Sequence, residues 1–332
     1  MTRVILALET SCDDTCAAVV DDRGRIRANV ISSQGIHDAY GGVVPEVASR
    51  QHLELVPAVV ADALARAETR LEDVATVAVT RGPGLVGALL VGLASAKALA
   101  AAHELPLTPV DHLHGHVAAT SLEPDPLAPP FLCLLASGGH TLLARVEDHG
   151  PDWEVLGATL DDAAGEAFDK GARMLGLGFP GGPALSELAA GGDREAFAFP
   201  RARKVAGLEF SFAGVKTALL YAIRDLGEAE ATRRRADLAA SYEEAIVEQL
   251  TDRVKRALDT TGLDRLALGG GVAANRRLRE RAATLGVRLK VPPPELCTDN
   301  AAMIAAAARH LPALPFPGYL ALDAYATGAR GL

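Results

Sequence analysis

The sequence has no Cys-x-x-Cys pair and no export signal. Its first residues, Met1 to Arg3, pass directly into the apolar run Val4 to Leu6, without the basic region, apolar stretch and cleavage site of a signal peptide. We therefore expect a cytoplasmic protein that keeps its cysteines reduced. We interpret at least three of the four cysteines as small buried hydrophobic residues. They are Cys12, Cys16, Cys133 and Cys297.

Long hydrophobic runs are also scarce. The longest one, residues 85–102, contains Lys97 and internal glycine and serine residues, and it lies between two strand-like segments. These features favour a buried core helix over a membrane span.

The sequence has fewer basic than acidic residues. It contains 33 Lys and Arg residues and 42 Asp and Glu residues, which give a formal net charge of -9. Contacts to phosphate need cations, so the overall charge argues against a general nucleic-acid binder, and any RNA must meet a local basic patch. Taken alone, each basic cluster in the sequence is more typical of a solvated helix face or loop. The candidate clusters are Arg201, Arg203 and Lys204; Arg233, Arg234 and Arg235; and Arg276, Arg277, Arg279 and Arg281.

The chain has 332 residues, of which 49% are hydrophobic and 23% charged. This composition is typical of a globular protein, and the length predicts two domains. Two patterns occur twice. A strand, a polar loop and a second strand are predicted at residues 4–20 and again at 131–146. A strand, a glycine-rich turn, a helix and a further strand are predicted at 74–110 and again at 265–291, with the helices at 85–102 and 273–285.

This repetition predicts an α/β fold of two lobes, each with a mixed sheet flanked by helices and with a ligand cleft between them. We place the N-terminal lobe at residues 1–125 and the C-terminal lobe at 126–332. Residues 157–217 are interpreted as an insertion that lines the cleft, with its densest glycine content at Gly178 to Pro183. Glycine-rich turns expose backbone N–H groups to oxyanions, so a nucleotide is the expected ligand.

These residues together resemble the TsaD family of threonylcarbamoyl transferases, within the larger group of actin-, Hsp70- and sugar-kinase-like ATPase folds. The resemblance covers essentially the whole chain. The blocks that carry it are residues 9–15 (ETSCDDT), 40–46 (YGGVVPE), 82–87 (GPGLVG), 112–116 (HLHGH), 137–141 (SGGHT), 161–170 (DDAAGEAFDK), 210–214 (FSFAG), 269–275 (GGGVAAN) and 297–300 (CTDN).

The resemblance implies that His112, His116 and Asp299 hold one metal ion, Fe²⁺ or Zn²⁺. The spacing agrees, because two histidines four residues apart share one face of a helix. His114, between them, is expected to face elsewhere. Asp299 precedes an alanine-rich helix, so an N-cap role for its carboxylate is the alternative.

The resemblance also implies contacts to threonylcarbamoyl-adenylate, an activated mixed anhydride made by another enzyme. The glycines have a purely conformational alternative, since tight turns also need them. Asp13, Asp14 and His140 are three unranked candidates for the general base. The implied adenylate contacts are Leu135, Ala136, Ser137, Gly138, Gly139, Asp169, Gly182, Ser186 and Asn275.

Three positions depart from the family pattern. Asp14 stands where the family usually has Glu, and Ser186 stands where many relatives have Asp. Leu135 stands where archaeal and eukaryotic relatives place a tyrosine that reaches the metal, which favours the bacterial branch.

The implied activity is transfer of the threonylcarbamoyl group to the adenosine beside the anticodon of certain tRNAs, with release of AMP. The implied partners are tRNA, a TsaB-like paralogue that forms a heterodimer, a TsaE-like ATPase, and a TsaC-type or Sua-type enzyme that supplies the adenylate.

Three alternatives compete with this interpretation. A zinc metalloprotease needs a glutamate directly after the first histidine, where this chain has Leu113. A dinucleotide oxidoreductase is indicated only by the glycine spacing Gly82, Gly84 and Gly87 with Asp111 after the next strand. A non-catalytic ATP-binding protein of the same fold would have lost the metal and loop residues, which are present.

Overall fold

The computed structural model describes residues 3–178 and 180–326. Their contacts divide the chain into two units. The first unit contains residues 3–128, 149–152 and 298–326, and the second contains 129–148 and 153–297.

The elements follow one another in the order β1 Val4–Glu9, β2 Asp14–Asp21, β3 Ile26–Ser33, α1 Pro45–Arg66, β4 Val74–Gly82, α2 Val86–Ala102, β5 Leu107–Asp111 and α3 His112–Ala118. The chain continues with β6 Phe131–Ala136, β7 Thr141–Val146, β8 Glu154–Ala158, α4 Ala164–Met174, α5 Gly181–Ala189, α6 Ala213–Leu226, α7 Glu228–Arg233 and α8 Arg235–Thr261. It ends with β9 Arg265–Gly269, α9 Arg276–Ala283, β10 Arg288–Lys290, α10 Pro294–Cys297 and α11 Ala301–Ala308. Short 3-10 helices occupy Gly35–Tyr40, Leu71–Asp73, Ala119–Ser121, Gly271–Ala274 and Gly318–Ala321.

The two units contain sheets of the same topology. The first sheet has the order β3-β2-β1-β4-β5 and the second the order β8-β7-β6-β9-β10. In each, the first three strands pair antiparallel and the last two join in parallel. The repeat predicted from the sequence is therefore confirmed as two mixed sheets of five strands.

The central strands β1 and β6 are apolar except for Glu9 and are buried along their whole length. A strand covered on both faces needs this continuous apolar pattern rather than an alternating one. In the first unit α1 and α11 both pack on β2 and β3. Because α11 is made mostly of alanine and every one of its residues is buried, it approaches the sheet and α3 closely.

Residues 298–326 lie in the first unit, which corrects the predicted C-terminal lobe at 126–332. The reason is the packing of α11 on β1, β2 and α3, which joins segments far apart in the sequence. Residues 1–2 and 327–332 of the predicted lobes lie outside the described residues. The ligand cleft stays a prediction.

The predicted insertion at 157–217 contains α4, α5 and the start of α6. Phe168, Leu185, Phe210 and Phe212 from this segment are buried in the hydrophobic core of the second unit. The segment is therefore an integral layer of that unit. Phe179, within the glycine-dense stretch, lies outside the described residues.

The helix predicted at 273–285 begins three residues late, as α9 at Arg276. Asn275 has an extended backbone, and its side-chain oxygen accepts a hydrogen bond from the backbone N–H of Leu278 at 2.8 Å. This N-cap fixes the start of the helix. The helix predicted at 85–102 is α2, and its faces divide between buried residues such as Leu89 and exposed ones such as Leu90.

All four cysteines are free, and Cys16, Cys133 and Cys297 are buried, as expected of small hydrophobic residues. Among the described residues, no helix has the length and apolar character needed to cross a membrane.

Candidate metal centre and substrate loops

The histidine pair lies on α3, which starts directly after β5. Asp111 closes the strand and caps the helix, because its Oδ1 accepts from the backbone N–H groups of Leu113 at 2.8 Å and His114 at 3.1 Å. Its Oδ2 accepts from the Tyr325 hydroxyl at 2.6 Å. The helix then places His112 and His116 on one face, with ring centroids 4.8 Å apart.

Asp299 faces this pair from the segment before α11. Its Oδ1 lies 3.3 Å from Nε2 of His116 and 3.5 Å from Nε2 of His112. The cap of α11 is the neighbouring Asn300, whose Oδ1 accepts from the backbone N–H of Met303 at 3.0 Å. The alternative role of Asp299 as a helix cap is therefore wrong, and its carboxylate is directed at the histidines.

Three observations show that this cluster fits a divalent ion. One ligand atom from each of the three residues lies within 4.8 Å of the others. Nε2 of His116 is buried and faces the Asp299 carboxylate without the geometry of a hydrogen bond to any described residue, as expected of a metal-binding nitrogen. Two imidazoles and one carboxylate are also the donor set that iron and zinc prefer in proteins.

Glu9 supports the cluster from behind. Its Oε2 lies 3.0 Å from Nδ1 of His112, and the Ser11 hydroxyl lies 3.2 Å from the same nitrogen. A carboxylate at Nδ1 holds the proton there and leaves Nε2 available to a metal. Thr80 donates a further hydrogen bond to Glu9.

The charges around His112 and Asp299 stabilise an ion pair when no metal is bound. Burial would lower the pKa of His112, but the carboxylates of Asp299 and Glu9 raise it well above its usual range. Burial would raise the pKa of Asp299, but the imidazoles of His112 and His116 hold it well below its usual range. A bound cation would replace the imidazole proton in this pairing.

Asp13, at the end of the β1–β2 loop, and Asp14, the first residue of β2, add two carboxylates to the surroundings of Asp299 and Glu9. Burial and, to a smaller extent, the charges of Asp299, Asp13 and Glu9 together raise the pKa of Asp14 to about 6, although a hydrogen bond with Ser33 opposes the shift. So many carboxylates around one point favour the binding of a cation.

His52 of α1 anchors this loop. Its Nδ1 lies 2.8 Å from the Thr15 hydroxyl and its Nε2 lies 2.9 Å from the Cys12 carbonyl oxygen. Burial lowers the pKa of His52, so the ring is held neutral. Sequence reasoning assigned no role to Glu9, Ser11 or His52. The one available signal was a glutamate that ends an otherwise apolar strand.

The glycines after β4 are explained by close packing. A Cβ atom at Gly84 would lie 2.6 Å from the Ser11 carbonyl oxygen, and one at Gly87 would lie 2.5 Å from the Ser49 hydroxyl. Asp111 already bonds to α3 and Tyr325. The geometry therefore gives no support to the dinucleotide alternative, which needs these glycines and this carboxylate for a cofactor.

In the second unit, the predicted substrate residues Leu135 and Ala136 end the buried strand β6, and Ser137 to His140 form its turn into β7. The Ser137 backbone N–H donates to the His140 carbonyl at 2.8 Å, and the Ser137 hydroxyl accepts from the His140 N–H at 3.1 Å. Gly138 and Gly139 have open space where a side chain would stand. Their backbone is accessible to a ligand.

Two other glycines hold this turn in place. The Gly165 N–H donates to the Ser137 carbonyl at 3.0 Å, and a Cβ at Gly165 would lie 2.6 Å from that oxygen. Gly270 has φ +80°, and a Cβ there would lie 2.4 Å from the Ala136 carbonyl oxygen. Both contacts require glycine.

Four further predicted residues, Asp169, Gly182, Ser186 and Asn275, lie on α4 and α5 and at the N-terminus of α9. Asp169 Oδ1 accepts from the N–H groups of Gly181 at 2.9 Å and Gly182 at 3.2 Å, at the start of α5. Burial raises the pKa of Asp169, although these two hydrogen bonds oppose the shift. The Asn275 amide donates to Ser186 Oγ at 2.8 Å.

Asn275 also donates to Glu243 Oε1 at 2.8 Å, so both of its amide hydrogens are used within the protein. A direct amide contact to a substrate would require one of these bonds to break. The structure thus groups His112, His116 and Asp299 with Asp13 and Asp14 in the first unit. In the second unit it groups Leu135–His140, and it links Ser186 directly to Asn275.

The basic cluster on α9 is neutralised by acidic side chains. Arg277 and Arg281 each lie 2.6 Å from the Glu244 carboxylate. The Arg279 guanidinium donates to the Ala273 carbonyl oxygen at 2.6 Å. Arg276 is the most exposed member and lies 3.5 Å from Glu280. This cluster is mainly structural.

The other two predicted clusters are also paired. Arg201 and Arg203 both bind Glu248. The run that starts α8 makes the pairs Arg233 with Glu230 and Arg234 with Asp237. Much of the positive charge that the sequence placed in these clusters therefore has a counterion.

Comparison with known proteins identifies the relatives of this chain. A family model described as "TsaD: tRNA N6-adenosine threonylcarbamoyltransferase" matches residues 25–306. A protein of Symbiobacterium thermophilum named tRNA N6-adenosine threonylcarbamoyltransferase is 52% identical over 313 residues, which cover 93% of this chain and 91% of the relative. A protein of Anaeromyxobacter sp. with the same name is 53% identical over 313 residues, which cover 92% of this chain and 93% of the relative.

Solved structures share the fold at low sequence identity. Full-length HypF in its phosphate- and nucleotide-bound form matches 92% of this chain and 46% of its own length, with a TM-score of 0.62 and 15% identity. Component A of the Acidaminococcus fermentans (R)-2-hydroxyglutaryl-CoA dehydratase matches 93% of this chain and 96% of its own length, with a TM-score of 0.55 and 15% identity. The predicted α/β fold of the actin-like ATPase group is confirmed.

Proposed function

Because this chain belongs to the tRNA N6-adenosine threonylcarbamoyltransferase family, we propose that it transfers a threonylcarbamoyl group from threonylcarbamoyl-AMP to tRNA. The acceptor is the exocyclic N6 amine of the adenosine beside the anticodon, in tRNAs that read codons beginning with adenine. A bond forms between N6 and the carbamoyl carbon, the bond from that carbon to the phosphate oxygen breaks, AMP leaves, and the amine loses one proton.

The observation that carries the proposal beyond family membership is the cluster of His112, His116 and Asp299 with Glu9 behind it. We propose that the three residues hold Fe²⁺ or Zn²⁺ and that Glu9 fixes the tautomer of His112. When bound, such an ion supplies positive charge that polarises a carbonyl or phosphoryl oxygen.

In the second unit we propose that the adenylate binds at the Ser137–Gly139 turn. The open space at Gly138 and Gly139 lets backbone N–H groups approach the phosphate oxygens and stabilise the negative charge that grows on AMP as it leaves. Asp169 Oδ1 is occupied by the start of α5, so its second oxygen is the one that accepts from a ribose hydroxyl. Gly182, Ser186 and Asn275 position these groups.

The proton released by the amine needs an acceptor. Asp13 lies at the end of the β1–β2 loop and Asp14 begins β2, both beside the metal cluster, and His140 lies in the turn of the second unit. We propose that one of these three residues accepts the proton. Variants with Asn or Gln at each position, assayed for the pH dependence of kcat, would identify it.

We further propose that the chain works with a TsaB-like paralogue that docks on α1 and α2. These helices touch where Ser49 packs against Gly87, and one turn further along each helix Leu53 and Leu90 are 67% and 44% exposed. Exposed leucines on paired helices are typical of a helix-to-helix interface. Leu53→Asp with Leu90→Asp should abolish co-elution with the paralogue. Leu220→Asp should not, although this leucine of α6 is also 49% exposed.

The remaining partners are proposed from the chemistry. A TsaC-type or Sua-type enzyme supplies the adenylate, which this chain consumes, and a TsaE-like ATPase supports turnover. Incubating the chain with these proteins, unmodified tRNA, threonine, bicarbonate and ATP tests the function. Mass spectrometry of the tRNA nucleosides should show threonylcarbamoyladenosine only when the chain is included. An equal amount of product without the chain would refute the proposal.

A further inference from the structure

An arginine-rich groove lies at the end of the first sheet opposite the metal cluster. The groove has a volume of about 520 Å³, and its charged lining residues are Arg23, Arg25, Arg27, Arg66, Asp21 and Glu68. The first three belong to the turn from β2 to β3 and to the start of β3, and Arg66 is in the last turn of α1. Four arginines converge here on a chain whose net charge is -9.

The acidic residues of the groove do not neutralise these arginines. Asp21 is buried, and its Oδ1 accepts from the backbone N–H groups of Arg23 and Arg25, both at 3.0 Å. Its carboxylate therefore closes the turn. Arg66 is bound to Asp62 one helical turn away.

The side chains of Arg23, Arg25 and Arg27 are exposed and form no ion pair with any residue in the described part of the chain. The three clusters predicted from the sequence differ in this respect, because Glu244, Glu248 and other acids bind them. The groove is therefore the stronger site for an external polyanion. The exposed acids nearby are Asp22, which precedes Arg23 in the turn, Glu68 in the groove lining, and Glu123 beside Arg25.

The turn that carries these arginines is preorganised. Gly24 has φ +85°, and Asp21 bonds to the backbone on both sides of it. Arg23 and Arg25 lie in this turn, and Arg27 is the second residue of β3, which is the outermost strand of the sheet. Three exposed cations on one short, ordered segment suit contacts to successive phosphates of a nucleic-acid backbone.

The distance between the groove and the metal cluster indicates which part of a bound tRNA would reach the groove. The β1–β2 loop with Asp13 lies at one end of β2, and the arginine turn lies at the other. Eight residues of strand separate them, which corresponds to roughly 25 Å. A tRNA whose anticodon loop lies at the metal cluster must extend away from it over a distance of this order.

We propose that this arginine groove binds backbone phosphates of the substrate tRNA at a distance from the anticodon loop. The inference rests on the proposed function, and it assigns the groove to duplex or stem phosphates rather than to the modified base. Such contacts set affinity and orientation without reading sequence.

The test compares two triple variants of equal charge change, in the full complex with the partner proteins. The first is Arg23→Gln, Arg25→Gln and Arg27→Gln. The control is Arg70→Gln, Arg145→Gln and Arg224→Gln, which removes arginines that each bind a neighbouring acid. Substrates are a whole tRNA and a short hairpin that contains only the anticodon loop and its nearest base pairs.

The groove variant should raise the KM for whole tRNA about 3- to 100-fold, with kcat and the KM for the hairpin unchanged. The salt slope of whole-tRNA binding, measured by fluorescence anisotropy without catalysis, should fall by about 2 to 3. The control should change neither quantity. A groove variant whose tRNA affinity and salt slope match the control would overturn the inference, as would an equal loss with the hairpin. Wild-type protein that binds tRNA through the groove but forms no modified nucleoside would instead refute the proposed function.

Discussion

Glu9 and His112 form the pair on which the metal cluster depends, with Oε2 of the glutamate 3.0 Å from Nδ1 of the imidazole. Glu9 is completely buried at the end of the central strand, and His112 opens α3. A buried carboxylate in this position orients the ring and raises its basicity toward a metal at Nε2.

We predict that Glu9→Gln weakens metal binding by about 10- to 100-fold, because a neutral amide orients the ring less firmly and no longer supports its charge. Titration of the metal-free protein with Zn²⁺ against a competing chelator measures the change. Glu72→Gln, an exposed glutamate paired with Arg70, is the matched control. Equal affinities for the two variants would show that Glu9 does not support the metal.

Gly138 and Gly270 should respond differently to substitution. Gly138 has open space around it, so Gly138→Val should leave the free energy of unfolding nearly unchanged while reducing affinity for adenine nucleotide. Gly270→Ala must place a methyl group 2.4 Å from the Ala136 carbonyl at a positive φ, which should cost at least about 1 kcal/mol of stability. Urea unfolding and isothermal titration separate the two effects. Unchanged nucleotide affinity in Gly138→Val would remove this turn from the binding site.

We expect the protein to lose stability in acid, because protonation of Glu244 removes its ion pairs with two arginines. Burial would raise the pKa of Glu244, but the guanidinium groups of Arg277 and Arg281 hold it below its usual range. Since the folded pKa is depressed, the stabilisation is fully present above the unfolded pKa of about 4.3 and is lost as the pH falls through the folded value.

We therefore expect Glu244→Gln to be less stable than wild type at neutral pH, with the difference shrinking as the pH falls below about 4. Free energies of unfolding from urea titrations across this pH range measure it. Glu228→Gln, at the start of α7, is a suitable control. Parallel curves for wild type and Glu244→Gln would contradict the assigned role of the ion pairs.

The sheets were predictable because their central strands are continuous apolar runs. The polar loops that follow β1 and β6 interrupt these runs at the same point in both halves, so the repeat was visible in the sequence. The start of α9 was less predictable, because the extended backbone of Asn275 and its hydrogen bond from Leu278 decide where the helix begins.

Contacts between distant segments could not be read from local pattern. The placement of α11 in the first unit depends on packing against β1, near the other end of the chain, and against α3, which also lies far from α11 in the sequence. The arginines of α9 resembled a nucleic-acid patch because the sequence does not show that Glu244 of α8 binds two of them. The role of Glu9 was not predictable for the same reason, because its partner His112 is 103 residues away.

The family resemblance supplied His112, His116 and Asp299, and the structure places their ligand atoms together. The residues implied for the adenylate all lie in the second unit, where several of them bond to one another, and their contact with a ligand stays a prediction. Asn275 and Ser186 are the clearest case, with a hydrogen bond of 2.8 Å between them.

The most direct measurement of the central claim is parallel elemental and nucleoside analysis of three single variants, His112→Ala, His116→Ala and His114→Ala. His114 lies on the same helix, but its Nε2 bonds to the His149 carbonyl oxygen at 3.0 Å, away from the cluster. We predict about one iron or zinc ion per chain in wild type and His114→Ala. His112→Ala and His116→Ala should lose both the metal and the formation of threonylcarbamoyladenosine while remaining folded by circular dichroism. Full modification of tRNA by a folded, metal-free His112→Ala or His116→Ala variant would contradict the account.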